Sequence, residues 1–212
     1  MKTPYPIILA SQSPRRQQFL RELGVPFTAH SADIDERAHP GETPTDMVQR
    51  LASEKAAAVA QYHPDALIIA ADTIVVLDGV VLGKPADAAH ARRMLVSLRG
   101  RAHQVRSAVS LLQPKSNRRF SALNSVTVRM RNYTDDEIDA YIASGDPLDK
   151  AGAYAIQNRD FSPVACWEGC YASVMGFPLA DVALGLAQFG INLPDVATVC
   201  SAVSGVGCCA AW

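Results

Sequence analysis

Apolar and polar positions in this chain fall into short segments with clear stops. Ile7, Ile8, Leu9 and Ala10 make a four-residue apolar run, the length of a buried strand. Ser13 then stands at an N-cap position, and Pro14 suits the first helical residue because it has no N–H to leave unpaired. Phe19, Leu20 and Leu23 continue at helical spacing until Gly24 and Pro26 end the helix. The chain thus opens as a strand that turns sharply into a helix. Residues 27–32 read as another short strand, followed by the polar segment Asp33-Ile34-Asp35-Glu36-Arg37. Thr43-Pro44-Thr45-Asp46 starts a second helix in near capping-box form, with Met47, Val48, Leu51, Ala52 and Val59 as its apolar stripe.

The most apolar run, 67–77, is rich in β-branched residues and ends at Asp78-Gly79, a hairpin signal before Val80-Val81-Leu82. Gly83-Lys84-Pro85 forms a stiff corner, and Asp87 caps a third helix carrying Ala91, Met94, Leu95 and Leu98, stopped by Gly100. Residues 103–112 and 119–131 read as two long strands joined by Pro114-Lys115-Ser116-Asn117. Thr134-Asp135-Asp136-Glu137 is a capping box for a fourth helix through Ile138, Tyr141 and Ile142 to Gly145. Residues 149–157 read as a polar corner entering a strand, 161–167 as another strand, and 178–189 as the last helix. The expected fold is α/β, a mixed and strongly curved sheet with helices outside. No repeat or long linker divides it, which predicts one domain over 1–192. Beyond Leu193 the residues are mostly small, which predicts a loosely held, cysteine-containing tail over 193–212.

Charge narrows the function classes. The 212 residues carry a formal net charge of −1, which argues against a broad nucleic-acid-binding face. No apolar run approaches membrane-spanning length, and Lys2-Thr3-Pro4-Tyr5-Pro6 does not resemble the start of a signal peptide. The expectation is a cytoplasmic protein without nucleic-acid or membrane partners. Cys166, Cys170, Cys200, Cys208 and Cys209 crowd into the last quarter, at spacings that suit neither a disulfide framework nor a zinc ribbon.

Candidate chemistry lies at strand ends and corners. Ser11, Ser13, Arg15 and Arg16 surround the first helix N-terminus, where backbone N–H groups and guanidiniums suit phosphate; an ordinary capped helix with solvated arginines is the other reading. Asp35 and Glu36 are adjacent acids, able to hold a divalent cation or simply solvated. Arg50, Glu54 and Lys55 share the second helix, where a solvated face is the simpler account. Asp72 interrupts a buried strand, a costly place for a carboxylate unless it is paired or opens onto a cleft. With Lys84, Lys150 and Gln157 these residues form a set of cations and a few carboxylates. There is no nucleophile elbow, no metal-binding His pair, no Cys–His arrangement and no Walker A loop. Cations offset a polyphosphate's charge, acids hold Mg²⁺ and a carboxylate can activate water, so the set points to binding or hydrolysis of a nucleotide.

Several segments resemble the Maf family of nucleoside triphosphate pyrophosphatases: Ala10-Ser11-Gln12-Ser13-Pro14-Arg15-Arg16, Arg50-Leu51-Ala52-x-x-Lys55-Ala56, Ala71-Asp72-Thr73-Ile74-Val75 and Gly83-Lys84-Pro85. So do Gly100-x-x-His103-x-Val105 and Asp149-Lys150-Ala151-Gly152-Ala153-Tyr154-x-Ile156-Gln157, all in family order between about residues 7 and 190. The resemblance implies two lobes around a central cleft, a homodimer, and hydrolysis of a nucleoside triphosphate between the α- and β-phosphates with a divalent cation, Mg²⁺ or Mn²⁺. By position it makes Asp72 the proton acceptor, with Glu36 and Asp72 as metal ligands. Ser11, Arg16, Lys55 and Lys84 match the family's phosphate cleft, and with Ser13 and Lys150 from the polar set above they make up the expected phosphate-binding residues. Arg15, Thr73 and Gln157 match the branch resembling dTTP/UTP pyrophosphatases rather than the one acting on 7-methyl-GTP. Asn158, Arg159 and Cys170 depart from the family pattern near the base pocket that the resemblance implies. A nucleotide-binding regulator of cell division with little turnover is the alternative. Such a binder needs cations but no base, and Asp72 favours the hydrolase.

Overall fold

The computed structural model describes residues 3–193 and 195–207. Its centre is β3 (Leu67–Leu77), flanked by β1 (Ile7–Leu9) and β5 (Ala102–Gln113). With β2 (Thr28–Ala29), β4 (Val80–Leu82), β6 (Arg118–Met130) and β7 (Val164–Glu168) they make one seven-stranded sheet in the order β2-β1-β3-β5-β6-β7, β4 pairing with β3. β1 runs parallel to β2 and β3; all other pairs are antiparallel, so the sheet is open and mixed.

The alternation of β3 divides the helices between two faces. Ile68, Ala70, Ile74 and Val76 lie beneath α2 (Pro44–Ala60), whose Val48, Ala52, Ala56 and Val59 cover them. Leu67, Ile69, Ala71 and Val75 face the larger core, built with α1 (Pro14–Glu22), α3 (Ala88–Leu98), α4 (Asp135–Ala143), the short α5 (Tyr171–Val174) and α6 (Leu179–Gln188). A strand buried on both faces has no polar side to show, which is why 67–77 reads as one apolar run.

β3 divides one edge between two partners. β5 pairs along the other edge from Ile68 to Val76 without a break. On the remaining edge β1 registers with Leu67, Ile68 and Ile69, and β4 with Val75, Val76 and Leu77. Residues 70–74 are paired by neither. Asp72 lies in the middle of that gap.

Four expectations need correction. Ser13 occupies the cap position of α1, but its hydroxyl makes no cap bond; its backbone N–H donates to Ser11 Oγ at 3.1 Å instead. Residues 149–157 do not enter a strand. They form 3-10 turns at Asp146–Asp149 and Ala151–Ala153, because Gly152 (φ 69°) and Ala153 (φ 59°) are left-handed and the Gly152 N–H goes to Gly83 O at 3.0 Å. The helix ending near Phe189 is not the last. Nor is the chain beyond Leu193 loosely held over 196–204. There α7 (Val196–Ser204) is capped by Asp195, buries Cys200 and rests Val196, Val199 and Val203 on the main core. Their i, i+3, i+4, i+7 spacing is an amphipathic stripe that the small size of the residues disguises. Cys208 and Cys209 lie outside the described residues.

Candidate functional site

The gap in the edge of β3 is filled by an arginine. Arg16, in the first turn of α1, donates from Nη1 to the Ala71 carbonyl at 2.8 Å and from Nε to the Gly176 carbonyl at 2.9 Å. Longer contacts at 3.4 Å reach Ser11 Oγ and Thr73 Oγ1. Thr73 Oγ1 lies 2.8 Å from Ser107 Oγ, which donates to Ser173 O at 2.8 Å, so one polar chain ties α1, β3, β5 and α5 together. Gly176 (φ 95°) has to be glycine: a Cβ there would meet Thr73 Oγ1 at 3.3 Å and the Arg16 guanidinium at 3.6 Å. Burial pushes the Arg16 pKa below its ordinary value; Asp72 and Glu36 oppose that shift and Arg15 adds to it. The guanidinium is spent mainly on the protein's own backbone.

On the opposite face of β3, Asp72 is 6 % exposed and its Oδ1 accepts from Lys55 Nζ at 2.6 Å. The same ammonium is 2.7 Å from Glu36 Oε1. Lys55 extends from α2, and Glu36 comes from the loop between β2 and α2. Arg50, one turn earlier on α2, holds that loop: it bonds Glu42 twice, at 2.6 and 2.8 Å, and the Arg37 carbonyl at 3.0 Å. These bonds hold the Glu42 carboxyl down at about 2. A solvated helix face is therefore not what Arg50 and Lys55 supply. For Glu36, burial alone would raise the carboxyl pKa. The Lys55 hydrogen bond and charge, aided by Lys84 and Arg16, outweigh it and hold Glu36 below the ordinary carboxylate range.

Asp72 and Thr73 are neighbours in sequence but point to opposite sides of β3, as strand alternation requires. The structure brings Ser11, Arg15, Arg16, Glu36, Lys55, Asp72, Thr73 and Lys84 into one electrostatic neighbourhood. Some of the polar groups remain unspent. Among the described residues, the Ser13 hydroxyl, the Arg15 and Lys84 side chains and the Gln157 amide have no hydrogen-bond partner, and Arg15 Nε is buried. Lys150 is different: its ammonium is enclosed by the Asp146 carbonyl at 2.6 Å, Asp149 Oδ1 at 2.6 Å and Asp146 Oδ1 at 2.9 Å. It braces the turns over 146–153. Gln157 lies in the next turn, anchored by Asn158, whose amide donates to Asp146 and whose carbonyl accepts from Phe161 N. Asn158 thus has a structural reason for its departure from the family pattern.

Sequence reasoning missed Gly176, Ser107 and Ser173. A buried serine, whether in a strand like Ser107 or in a one-turn helix like Ser173, leaves no periodic signal, and Gly176 is 160 positions from the arginine it accommodates. As a donor set, Glu36 and Asp72 offer hard carboxylate oxygens converging on one cation, which fits Mg²⁺ or Mn²⁺ chemistry. No group of three His, Cys, Asp or Glu residues suited to a metal occurs among the described residues. The remaining ligands would come from substrate oxygens and water, as is usual for Mg²⁺ at phosphates.

An open mixed sheet with a lysine-bound carboxylate at a break in its edge pairing, beside a helix N-terminus and unspent cations, defines an α/β protein built to handle polyanions. The chain belongs to the Maf-like protein family, whose pattern covers residues 6–189. It is 46% identical over 187 residues to a dTTP/UTP pyrophosphatase of Pelotomaculum thermopropionicum, covering 88% of this chain and 98% of that protein. A dTTP/UTP pyrophosphatase of Methylococcus capsulatus is 47% identical over 187 residues, covering 88% and 92%. That of Symbiobacterium thermophilum is 45% identical over 184 residues, covering 87% and 94%. No helix among the described residues is long and apolar enough to cross a membrane.

Proposed function

We propose that this chain hydrolyses dTTP and UTP to the monophosphate and pyrophosphate. The observation that carries the reading is Asp72, a buried carboxylate at the one unpaired stretch of the central strand, gripped by Lys55 beside Glu36. The relatives' common name and their coverage of nearly all of the matched domain supply the substrate class. The triphosphate binds against the α1 N-terminus, with the Lys84 cation offsetting its charge. A water oxygen bonds to the α-phosphorus as Asp72 accepts its proton, the α–β bridging bond breaks, and pyrophosphate leaves with that bond's electron pair. A divalent cation, when bound by Glu36 and Asp72, supplies charge neutralisation at the phosphate oxygens. Arg16 holds β3, α1 and the Gly176 turn in fixed relation, so the carboxylate and the helix N-terminus do not drift apart. Arg15, Thr73 and Gln157 select the base: Gln157 presents a donor and an acceptor, matching the carbonyl and N–H on a uracil or thymine edge. Thr73 acts through Arg16 and Ser107 rather than by facing Asp72. A pure nucleotide binder needs cations and no such carboxylate, so the regulatory alternative has no support at this site. The protein works in the cytoplasm as a homodimer.

A nucleotide panel assayed separately for pyrophosphate and orthophosphate tests the reading. Pyrophosphate released from dTTP and UTP, dependent on a divalent cation, is the expected result. Orthophosphate with a nucleoside diphosphate, or no turnover of pyrimidine triphosphates, would refute it.

A further inference from the structure

Lys55 is placed where a cation between the two carboxylates would be. Its ammonium is 2.6 Å from Asp72 and 2.7 Å from Glu36, and its side chain is 11 % exposed. With Arg16 and Lys84 acting on the same Glu36, the two carboxylates already face three positive charges. A divalent ion entering that centre would meet a buried ammonium a few ångströms away, and Coulomb repulsion between like charges is little screened at such a distance in a protein interior. With only two carboxylates at hand among the described residues, the ion could not draw enough ligands from them to overcome it.

We infer that Lys55 is the resident counter-ion of the Glu36–Asp72 pair and gives the pair up to a divalent cation only when a polyphosphate arrives. The polyphosphate supplies two things at once: oxygen ligands for the metal, and a new anionic partner for the lysine. A lysine suits such an exchange, since its ammonium is a point charge on a flexible four-carbon stem with three donors. An arginine fork bridging the same two acids would hold them in a fixed geometry. The metal therefore enters as a metal–nucleotide complex, and an empty site keeps its carboxylates satisfied rather than scavenging free cations. Metal and nucleotide affinities are then linked: each raises the other by the same factor.

The arrival of a triphosphate rests on the pyrophosphatase reading, but the test does not. Mn²⁺ alone is titrated into nucleotide-free protein and followed by the loss of the free-ion electron paramagnetic resonance signal. Lys55→Met should bind one Mn²⁺ roughly ten-fold or more tighter than the natural sequence, within the usual range of coupling between sites. Adding Glu36→Gln to Lys55→Met should abolish that gain. Lys55→Arg keeps the charge and the fold, and should bind Mn²⁺ more weakly than the natural sequence. If Lys55→Met does not fold, the comparison with Lys55→Arg decides. Tight Mn²⁺ binding by the natural sequence, equal to that of Lys55→Met, overturns the inference, and so does Lys55→Arg binding as well as or better than Lys55. None of these outcomes depends on which nucleotide is hydrolysed.

Discussion

His103 makes acid stability a measure of how this core is built. It is 4 % exposed on β5, with Nε2 2.7 Å from the Tyr154 hydroxyl and Nδ1 buried without a hydrogen-bond partner. Protonation would add a second N–H in a place that offers it no acceptor. Burial accordingly pushes its pKa from 6.5 down to about 4. In the unfolded chain the imidazole charges near the ordinary value, so between about pH 6.5 and pH 4 the unfolded state binds more protons than the folded one. The stability conferred by a neutral His103 is complete above that window and is lost as the pH falls through it. Two and a half pH units correspond to about 3 kcal/mol in full, and to about 2 kcal/mol between pH 7.5 and pH 5. The assay is urea unfolding of the natural chain and of His103→Gln at those two pH values and equal ionic strength. Gln does not titrate, and every other acid is shared, so the difference between the proteins isolates one group. The natural chain should lose about 2 kcal/mol relative to the variant on acidification. A difference that does not change with pH would refute the argument.

Other consequences follow from the same geometry. Asp72→Asn should lower pyrophosphate release by about 10²–10⁴-fold while equilibrium binding of dTTP, measured without divalent cation, is not weakened; near-normal turnover would remove Asp72 from the mechanism. Gln157→Ala should lower kcat/KM for dTTP and UTP far more than for a purine triphosphate, and an equal loss across the panel would reduce Gln157 to a turn residue. Truncation after Leu193 uncovers the core surface under Val196, Val199, Cys200 and Val203, and should lower stability by about 2 kcal/mol or more in urea unfolding, whereas an unchanged midpoint would show α7 to be dispensable.

The sequence alone determined the local units and most of the chemistry. Strand β3, the Asp78-Gly79 hairpin and the Thr134–Glu137 capping box are legible because the physics that forms them acts within a few residues. Asp72 stands out for the same reason: a carboxylate in an apolar run is anomalous without any knowledge of its neighbours. Which charges are spent, by contrast, is settled by the assembled fold. Arg15 and Arg16 are adjacent and alike in sequence. Yet Arg16 is consumed by the carbonyls of Ala71 and Gly176, 55 and 160 positions away, while Arg15 keeps its donors. Lys55, Lys84 and Lys150 are three lysines with the same expected role. One bridges two carboxylates, one is unspent and one is enclosed by Asp146 and Asp149. A side chain's chemistry is written in its residue type, but its partner is set by the register of strands and the crossing of helices. Those depend on the packing of the whole chain at once. The short helix α7 was lost for the converse reason: its stripe is real but made of small residues, and only the surface of α1 and the core against which it rests gives those residues enough buried area to hold it.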